Sequence, residues 1–257
     1  MLNSFKNIIL CSFILLNFAA SYSMAQNEEE IFLQGNEYYR LKEFGKAIEV
    51  YNGLVNSGFE GTSLYYNLGN SYYRTGKIGL AILYYEKALK LSPGDEDIRH
   101  NLALANLKTI DKVESLPKFF LFEWWDGLLA LFTTSGWTIV TYIFYVILIL
   151  SIGFYFFVRN SLQQKIVVIT GLLGLAFLII STTILTLRLN KELNIKNGVV
   201  VENVVNVKLS PDYGSDDAFI IHEGIKVRLE DKVDNWVKIR LEDGKVGWIP
   251  EDNAKII

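Results

Sequence analysis

The hexapeptide Gly-Asn-Glu-Tyr-Tyr-Arg at 35–40 returns as Gly-Asn-Ser-Tyr-Tyr-Arg at 69–74, a displacement of 34 residues. The agreement continues past it: Ala47 aligns with Ala81, Ile48 with Ile82 and Tyr51 with Tyr85, and Pro93 closes the second copy. A fixed period of this length means one supersecondary unit used twice, each copy burying its apolar face against the next. Gly35, Gly69, Ala47 and Ala81 are small where one helix must approach another closely. Tyr38, Tyr51, Tyr72 and Tyr85 are large enough to fill the space between successive layers.

Thirty-four residues is the tetratricopeptide (TPR) length, two antiparallel helices per repeat, and the two copies resemble that pattern. The second copy needs a cover of its own. Residues 95–110 supply one: Asp95 is placed as an N-cap, and Ile98, Leu102, Ala105 and Leu107 form an apolar stripe at helical spacing. This predicts a capping helix or a degenerate third repeat.

The 51% hydrophobic content of the 257 residues is concentrated in long apolar runs beside ordinary polar segments. A formal net charge of −3 without a basic cluster argues against nucleic acid as a partner. Lys6 precedes an apolar run from Ile8 to Ala20, and Ser23-Met24-Ala25 ends it with small residues, which reads as a signal peptide over 1–25. An uncleaved anchor is the rival reading. Either places residues from 26 onward outside the cytoplasm. The single cysteine, Cys11, falls within that run, so thiol chemistry and disulfides are not expected in the mature chain.

No charged residue occurs from Gly127 to Val158 or from Ile166 to Leu187. About 20 helical residues cross a hydrocarbon core of about 30 Å, so spanning helices are expected over 138–158 and 166–187. The loop between them, 159–165, carries Arg159 and Lys165 and no acid, which puts it in the cytoplasm by the positive-inside rule. A hairpin then returns the chain to the side it left, so the repeat and C-terminal segments are expected to share the outer compartment. Before the hairpin, 113–137 is a juxtamembrane segment rich in Phe and Trp. It fits an interfacial helix or, alternatively, packing on the repeat cap, with Trp137 marking the outer boundary.

After a linker at 188–196 the period changes to two. Val205, Val207 and Leu209, then Val227 and Leu229, then Val237, Ile239 and Leu241 alternate with polar residues, and Asp243-Gly244 signals a hairpin. Short strands over 197–257 predict a small β-barrel. Val205-Asn-Val-Lys-Leu-Ser-Pro211, His222-Glu-Gly224, Asn235-Trp-Val-Lys-Ile239 and Asp243-Gly-Lys-Val-Gly-Trp-Ile-Pro250 resemble the bacterial SH3 (SH3b) pattern, with Lys208 and Leu209 in place of its usual Arg and Gly. In all, the chain reads as a multi-domain protein: an all-α TPR solenoid over 26–112, a transmembrane helical hairpin and a C-terminal SH3-like barrel. That order of modules resembles the BatE-type proteins of the bacterial aerotolerance (Bat) operon family. The resemblance implies a non-catalytic envelope protein acting with membrane-anchored von Willebrand A-type proteins and a MoxR-type AAA ATPase in stress tolerance.

The two histidines, His100 and His222, lie far apart in sequence with no second ligand at metal spacing, and no nucleophile motif or phosphate-binding loop is present. No enzyme activity, metal or cofactor is expected. Binding surfaces remain. A TPR inner face is lined by the first helix of each repeat, which presents Asn36, Tyr39 and Arg40, then Asn67, Asn70, Tyr73 and Arg74. Asn36 and Asn67 match the asparagines of carboxylate-clamp TPRs, but Phe32, Asp97 and Asn101 stand where that clamp needs cations. The other reading of this face is a solvated consensus surface, with Tyr39 and Tyr73 packed on neighbouring helices. In the SH3b segment Tyr213, Trp236, Trp248 and Pro250 form a candidate aromatic ligand groove. Periodicity places Trp236 with polar Lys238 and Arg240, whereas the family position packs inward. Two functions are compatible with these modules: a scaffold holding segments of partner membrane proteins, or an anchor or sensor whose SH3b domain touches peptidoglycan.

Overall fold

The structure, a computed structural model, describes residues 28–113, 119–194 and 196–257. The expected signal peptide lies outside them. The described residues form two compact units, one from 28–113 together with the C-terminal strands, the other from 119–194.

Five helices begin the first unit: α1 over 28–40, α2 (Phe44–Asn56), α3 (Thr62–Arg74), α4 (Ile78–Leu91) and α5 (Glu96–Leu107). They are held as antiparallel pairs by one apolar stripe each, for instance Ala47, Tyr51 and Leu54 on α2 and Leu64, Leu68 and Tyr72 on α3. The 34-residue period is visible in the contacts. A Cβ on Gly35 would collide with the Tyr51 ring, and one on Gly69 would lie 2.8 Å from Tyr85 Cδ1 and 3.3 Å from the Ala81 carbonyl oxygen. Each glycine therefore lets its partner helix come within ring contact. The turns repeat as well. Gly76 (φ 78°) ends α3 with its successor Lys77 donating to the Tyr72 carbonyl, and Lys42 (φ 62°), 34 residues earlier, ends α1 with Glu43 donating to Tyr38. The first repeat thus holds a lysine in a left-handed conformation that glycine adopts without steric cost.

Helix α5 starts as expected: the Asp95 carboxylate accepts from the backbone N–H groups of Asp97 and Ile98. Ile98, Leu102 and Ala105 are buried, but Leu107 is 74% exposed because it lies two residues past Ala105, about 200° around the helix and off the stripe.

Seven strands complete this unit: β1 (Lys196–Val200), β2 (Val204–Lys208), β3 (Asp217–His222), β4 (Lys226–Val233), β5 (Trp236–Arg240), β6 (Val246–Pro250) and β7 (Ala254–Ile256). The expected closed barrel is corrected here. The strands form one antiparallel sheet in the order β3-β2-β6-β5-β4-β1-β7, with β3 and β7 at its edges. The Asp243-Gly244 turn joins β5 to β6 with Gly244 at φ 91°. Val205, Val207, Val237, Ile239 and Ile249 pack into a common core, while Leu209, expected to continue that alternation, is 63% exposed past the end of β2.

The sheet is not a free-standing domain. Val199 is fully buried in the same cluster as the helical core, and Val201 and Ile257 pack against that cluster. Polar contacts join the two parts: Lys226 Nζ lies 2.8 Å from Glu86 Oε2, the His222 N–H donates to Asp111 Oδ2 at 2.7 Å, and the Gly79 N–H donates to Glu223 Oε2 at 2.6 Å. The last of these matters for α4, whose own N-cap residue, Lys77, makes no side-chain cap bond. A carboxylate from the sheet satisfies an amide at the positive end of that helix.

The second unit holds α6 (Phe120–Ala130), α7 (Thr134–Phe157) and α8 (Ser161–Asn194). α7 and α8 form a hairpin, and 24 residues of α7 and 30 of α8 are long and apolar enough to cross a membrane. Its turn is three residues, 158–160, rather than the expected 159–165, because Asn160 Oδ1 accepts from the Leu162 N–H and starts α8 early. α8 also runs on through the expected linker to Asn194, since the charges after Leu187 end the apolar stretch without ending the helix.

Replacing Gly69 by Ala should lower the thermal midpoint of the repeat unit, by about 1–3 kcal/mol of stability, because neither the Tyr85 ring nor the Ala81 carbonyl can withdraw. Gly53→Ala, with open space around the added methyl, should instead raise stability by roughly 0.5–1 kcal/mol.

Candidate functional site

The first helices of the repeats, α1, α3 and α5, carry the residues expected on the inner face, and hydrogen bonds tie them into a ladder. Tyr51 donates its hydroxyl to Asn36 Oδ1 at 2.7 Å, and Asn67 Nδ2 donates to the same oxygen at 2.8 Å. One repeat later Tyr85 donates to Asn70 Oδ1 at 2.7 Å, and Asn101 Nδ2 donates to it at 3.0 Å. Asn101 thereby occupies in α5 the role of Asn67 in α3, so the capping helix is built as the first helix of a third repeat. It also donates to the Tyr66 hydroxyl at 2.8 Å, a helix-to-helix contact where a clamp would need a cation.

Burial raises the Tyr51 phenol to about 12 and pushes Tyr85 upward as well. Tyr84, stacked on Tyr72 at 5.5 Å, is likewise raised by burial to about 12. A phenol whose folded-state pKa exceeds its unfolded value contributes stability below about pH 10 and loses it as pH climbs toward 12. The thermal midpoint should therefore fall steeply between pH 10 and 12, and Tyr51→Phe should start lower but fall less steeply.

The charged and aromatic members of the face are arranged unequally. Arg40 is held by Glu37 through two bonds of 2.9 and 2.8 Å, and the guanidinium in turn keeps the Glu37 carboxyl below the usual carboxylate range. Arg74, at the corresponding place in α3, is exposed and has no ion-pair partner among the described residues. Tyr39 meets Phe44 of α2 edge-on at 5.2 Å, and Tyr73 lies under Lys108, whose Nζ is 4.1 Å from the ring centre. Lys108 is the residue that sequence reasoning missed. It stands 34 positions after Arg74, as Arg74 does after Arg40, so the period itself carried the signal.

On the sheet, strand pairing places Trp236 opposite Pro250 and Trp248 opposite Lys238, with Lys208 beyond it. Trp236, Trp248, Pro250 and Lys238 therefore share the face opposite the one that buries Val237, Ile239 and Ile249. Trp236 is nonetheless only 7% exposed. Tyr213, from the loop between β2 and β3, lies on it edge-on with ring centres 4.8 Å apart. Periodicity and burial are thus both satisfied: the ring is on the outer face and a loop tyrosine covers it. Tyr213 itself is 74% exposed, and Trp248 is half-buried.

In the second unit, Leu129 in the last turn of α6 is the anchor. Its carbonyl accepts from Trp137 Nε1 at 3.1 Å and from Arg188 Nη1, and Arg188 Nε also reaches Thr134 Oγ1 at 3.2 Å. Phe120, Leu121, Phe122 and Trp124 on the same helix remain more than half exposed. Among the described residues no three His, Cys, Asp or Glu side chains gather as metal ligands.

The sequence model of the family described as Tetratricopeptide repeat matches residues 63–95, which are α3, α4 and the turn into α5. No curated protein matches the chain. The match supports a TPR repeat over α3 and α4, and the helices around it are TPR-like.

Trp236→Ala should cost about 3 kcal/mol, the low end for a large buried ring because it is covered by a loop rather than by the core, and Trp248→Ala well under that. Thermal unfolding of the detergent-solubilised chain, with the sheet kept on its TPR stack, compares the two. Equal losses would place both rings in one structural role.

Proposed function

We infer that this chain is a non-catalytic, membrane-anchored scaffold that presents its TPR inner face and an SH3b-like sheet to segments of partner membrane proteins. The observation that carries this reading is the insertion of the helical hairpin into one soluble body. The chain leaves the TPR stack after Val113, runs through two helices of membrane-spanning length, and returns at Lys196 to a sheet that shares the stack's core. A sheet and a stack with a common core must lie on one side of a membrane, so an even number of crossings is required between them. With the loop basic residues Arg159 and Lys165 on the cytoplasmic side, both soluble parts face the periplasm. The exposed aromatic residues of α6 suit the headgroup region beside that hairpin.

The module order supports membership of the BatE-type aerotolerance proteins, and the partner classes this implies are von Willebrand A-type membrane proteins and a MoxR-type ATPase. A second reading, a peptidoglycan-binding anchor or sensor, draws on the outward cluster of Tyr213, Trp236 and Pro250. The two separate in one experiment. Membranes from cells carrying a photo-crosslinking side chain in place of Tyr73, and others with one in place of Tyr213, are irradiated and the adducts identified, while the same protein is tested for sedimentation with isolated sacculi.

The scaffold reading expects protein adducts at position 73. Sedimentation with sacculi and no protein adduct would replace it by the anchor reading. For topology, a reporter active only in the periplasm should work when fused after Lys112 or after Asn190. Activity of a cytoplasm-only reporter at either junction would refute the hairpin.

A further inference from the structure

Each Asn36 and Asn70 side chain spends its oxygen inside the protein, accepting from a buried tyrosine hydroxyl and from the next helix's asparagine. In this arrangement the amide nitrogens of Asn36 and Asn70 face outward. The Nδ2 groups of Asn36 and Asn70 donate to nothing among the described residues, and neither the Asn67 nor the Asn101 oxygen accepts there. No buried side-chain nitrogen or oxygen among the described residues lacks a partner, so these four groups reach solvent. The inner face therefore offers a donor beside an acceptor, Asn36 with Asn67, and repeats the couple one layer on, Asn70 with Asn101. A donor next to an acceptor is the complement of a peptide unit, which presents one C=O and one N–H.

Beside this array run Arg74 and Lys108, on successive first helices and held by no carboxylate among the described residues, the Lys108 ammonium lying over the Tyr73 ring. Arg40, the third member of the row, is neutralised by Glu37. Asp97 lies at the opposite end of α5 from Lys108, about 16 Å away along the axis at about 1.5 Å per residue, beyond the screening length of roughly 8 Å at physiological salt. Packed helices are spaced by about 8–10 Å. A polyproline II segment advances about 3.1 Å per residue with three residues per turn, so its same-face side chains recur every ~9 Å. It also makes no internal hydrogen bonds, leaving its peptide groups open.

We propose that the TPR inner face binds a polyproline II segment of a partner, with the Asn36/Asn67 and Asn70/Asn101 couples holding its main chain and Arg74 and Lys108 taking acidic side chains three residues apart. The proposal rests on the scaffold reading of this face and adds the conformation and spacing of what it holds. A fully extended strand suits it less, because residues three apart then point to opposite sides.

The test uses the full chain in detergent and three fluorescent peptides of identical composition, built from Pro, Ala and three Glu. One has Glu at every third residue, one at every second, and one has all three at an end. The every-third peptide should bind about tenfold more tightly than the other two in low salt, and the preference should shrink as salt is raised and exposed charges are screened.

Arg74→Gln together with Lys108→Gln should abolish the preference without lowering the thermal midpoint, both side chains being exposed. Asn70→Asp keeps an oxygen for Tyr85 and Asn101 but removes the outward donor, and should weaken the every-third peptide while the fold persists. Equal binding of the three peptides, no binding of any, or an undiminished preference in the double variant would overturn the proposal. Protein adducts at position 73 combined with equal peptide binding would sink this inference and leave the scaffold reading standing. Absence of adducts would sink the scaffold reading itself.

Discussion

The packing of the sheet on α4 is the constraint on which the other features depend. Two and a half repeats leave the outer side of the last full repeat uncovered, and the sheet covers it: Val199 is completely buried there, and Gly224, in the turn before β4, has no room for a side chain because Ile82 and Thr109 lie against it. Magnitudes decide what holds this joint. The Lys226–Glu86 pair is partly exposed, which places it near the weak end for ion pairs, at about 1 kcal/mol or less. The cap that Glu223 supplies to α4 is worth about 1 kcal/mol. Burying Val199 and its neighbours at about 1.5–3 kcal/mol per side chain outweighs both, so apolar contact holds the joint and the polar contacts orient it.

The same economy shapes the inner face. A TPR layer needs its tyrosines buried for volume, and a buried phenol needs an acceptor. Asn36 and Asn70 provide it, and doing so removes their oxygens from any ligand. On the proposed binding role, what a partner meets is set by the core. With phenylalanine at 51 and 85, Asn67 and Asn101 alone would hold those oxygens.

Local signals were legible in the sequence where a period carried them. The 34-residue repeat located the helix pairs, the close glycines and the asparagines that link successive helices. The alternation on β5 placed Trp236 on the outer side of its strand. Alternation reports which face of a strand is buried, however, and not which strands pair, so the open order from β3 to β7 was not readable and a closed barrel was expected. Leu209 misled because it continues the alternation one step beyond β2, and Leu107 because it lies within α5 but off the stripe of Ile98, Leu102 and Ala105. The joint between sheet and stack was invisible. Glu86 and Lys226 are 140 positions apart, Asp111 and His222 are 111 apart, and every one of them reads as an ordinary polar residue.

Arg188 shows the limit of reading a charge by its type. In sequence it ends an apolar run, which is the usual place for a cation at a membrane boundary. In the fold its guanidinium reaches back to the Leu129 carbonyl in the last turn of α6, where unsatisfied carbonyls make the helix end negative. Trp137 donates to that same oxygen, so two side chains from two helices fix the end of a third. On the proposed membrane placement this has a physical consequence. α6 is fastened by its carboxyl-terminal end to the hairpin, while Phe120 and Phe122, whose rings meet only that of Phe119 among the described residues, and Trp124 stay more than half exposed. A helix held that way needs no apolar protein surface to cover its rings, because the headgroup boundary supplies one, and its exposed aromatic face becomes a consequence of how it is anchored.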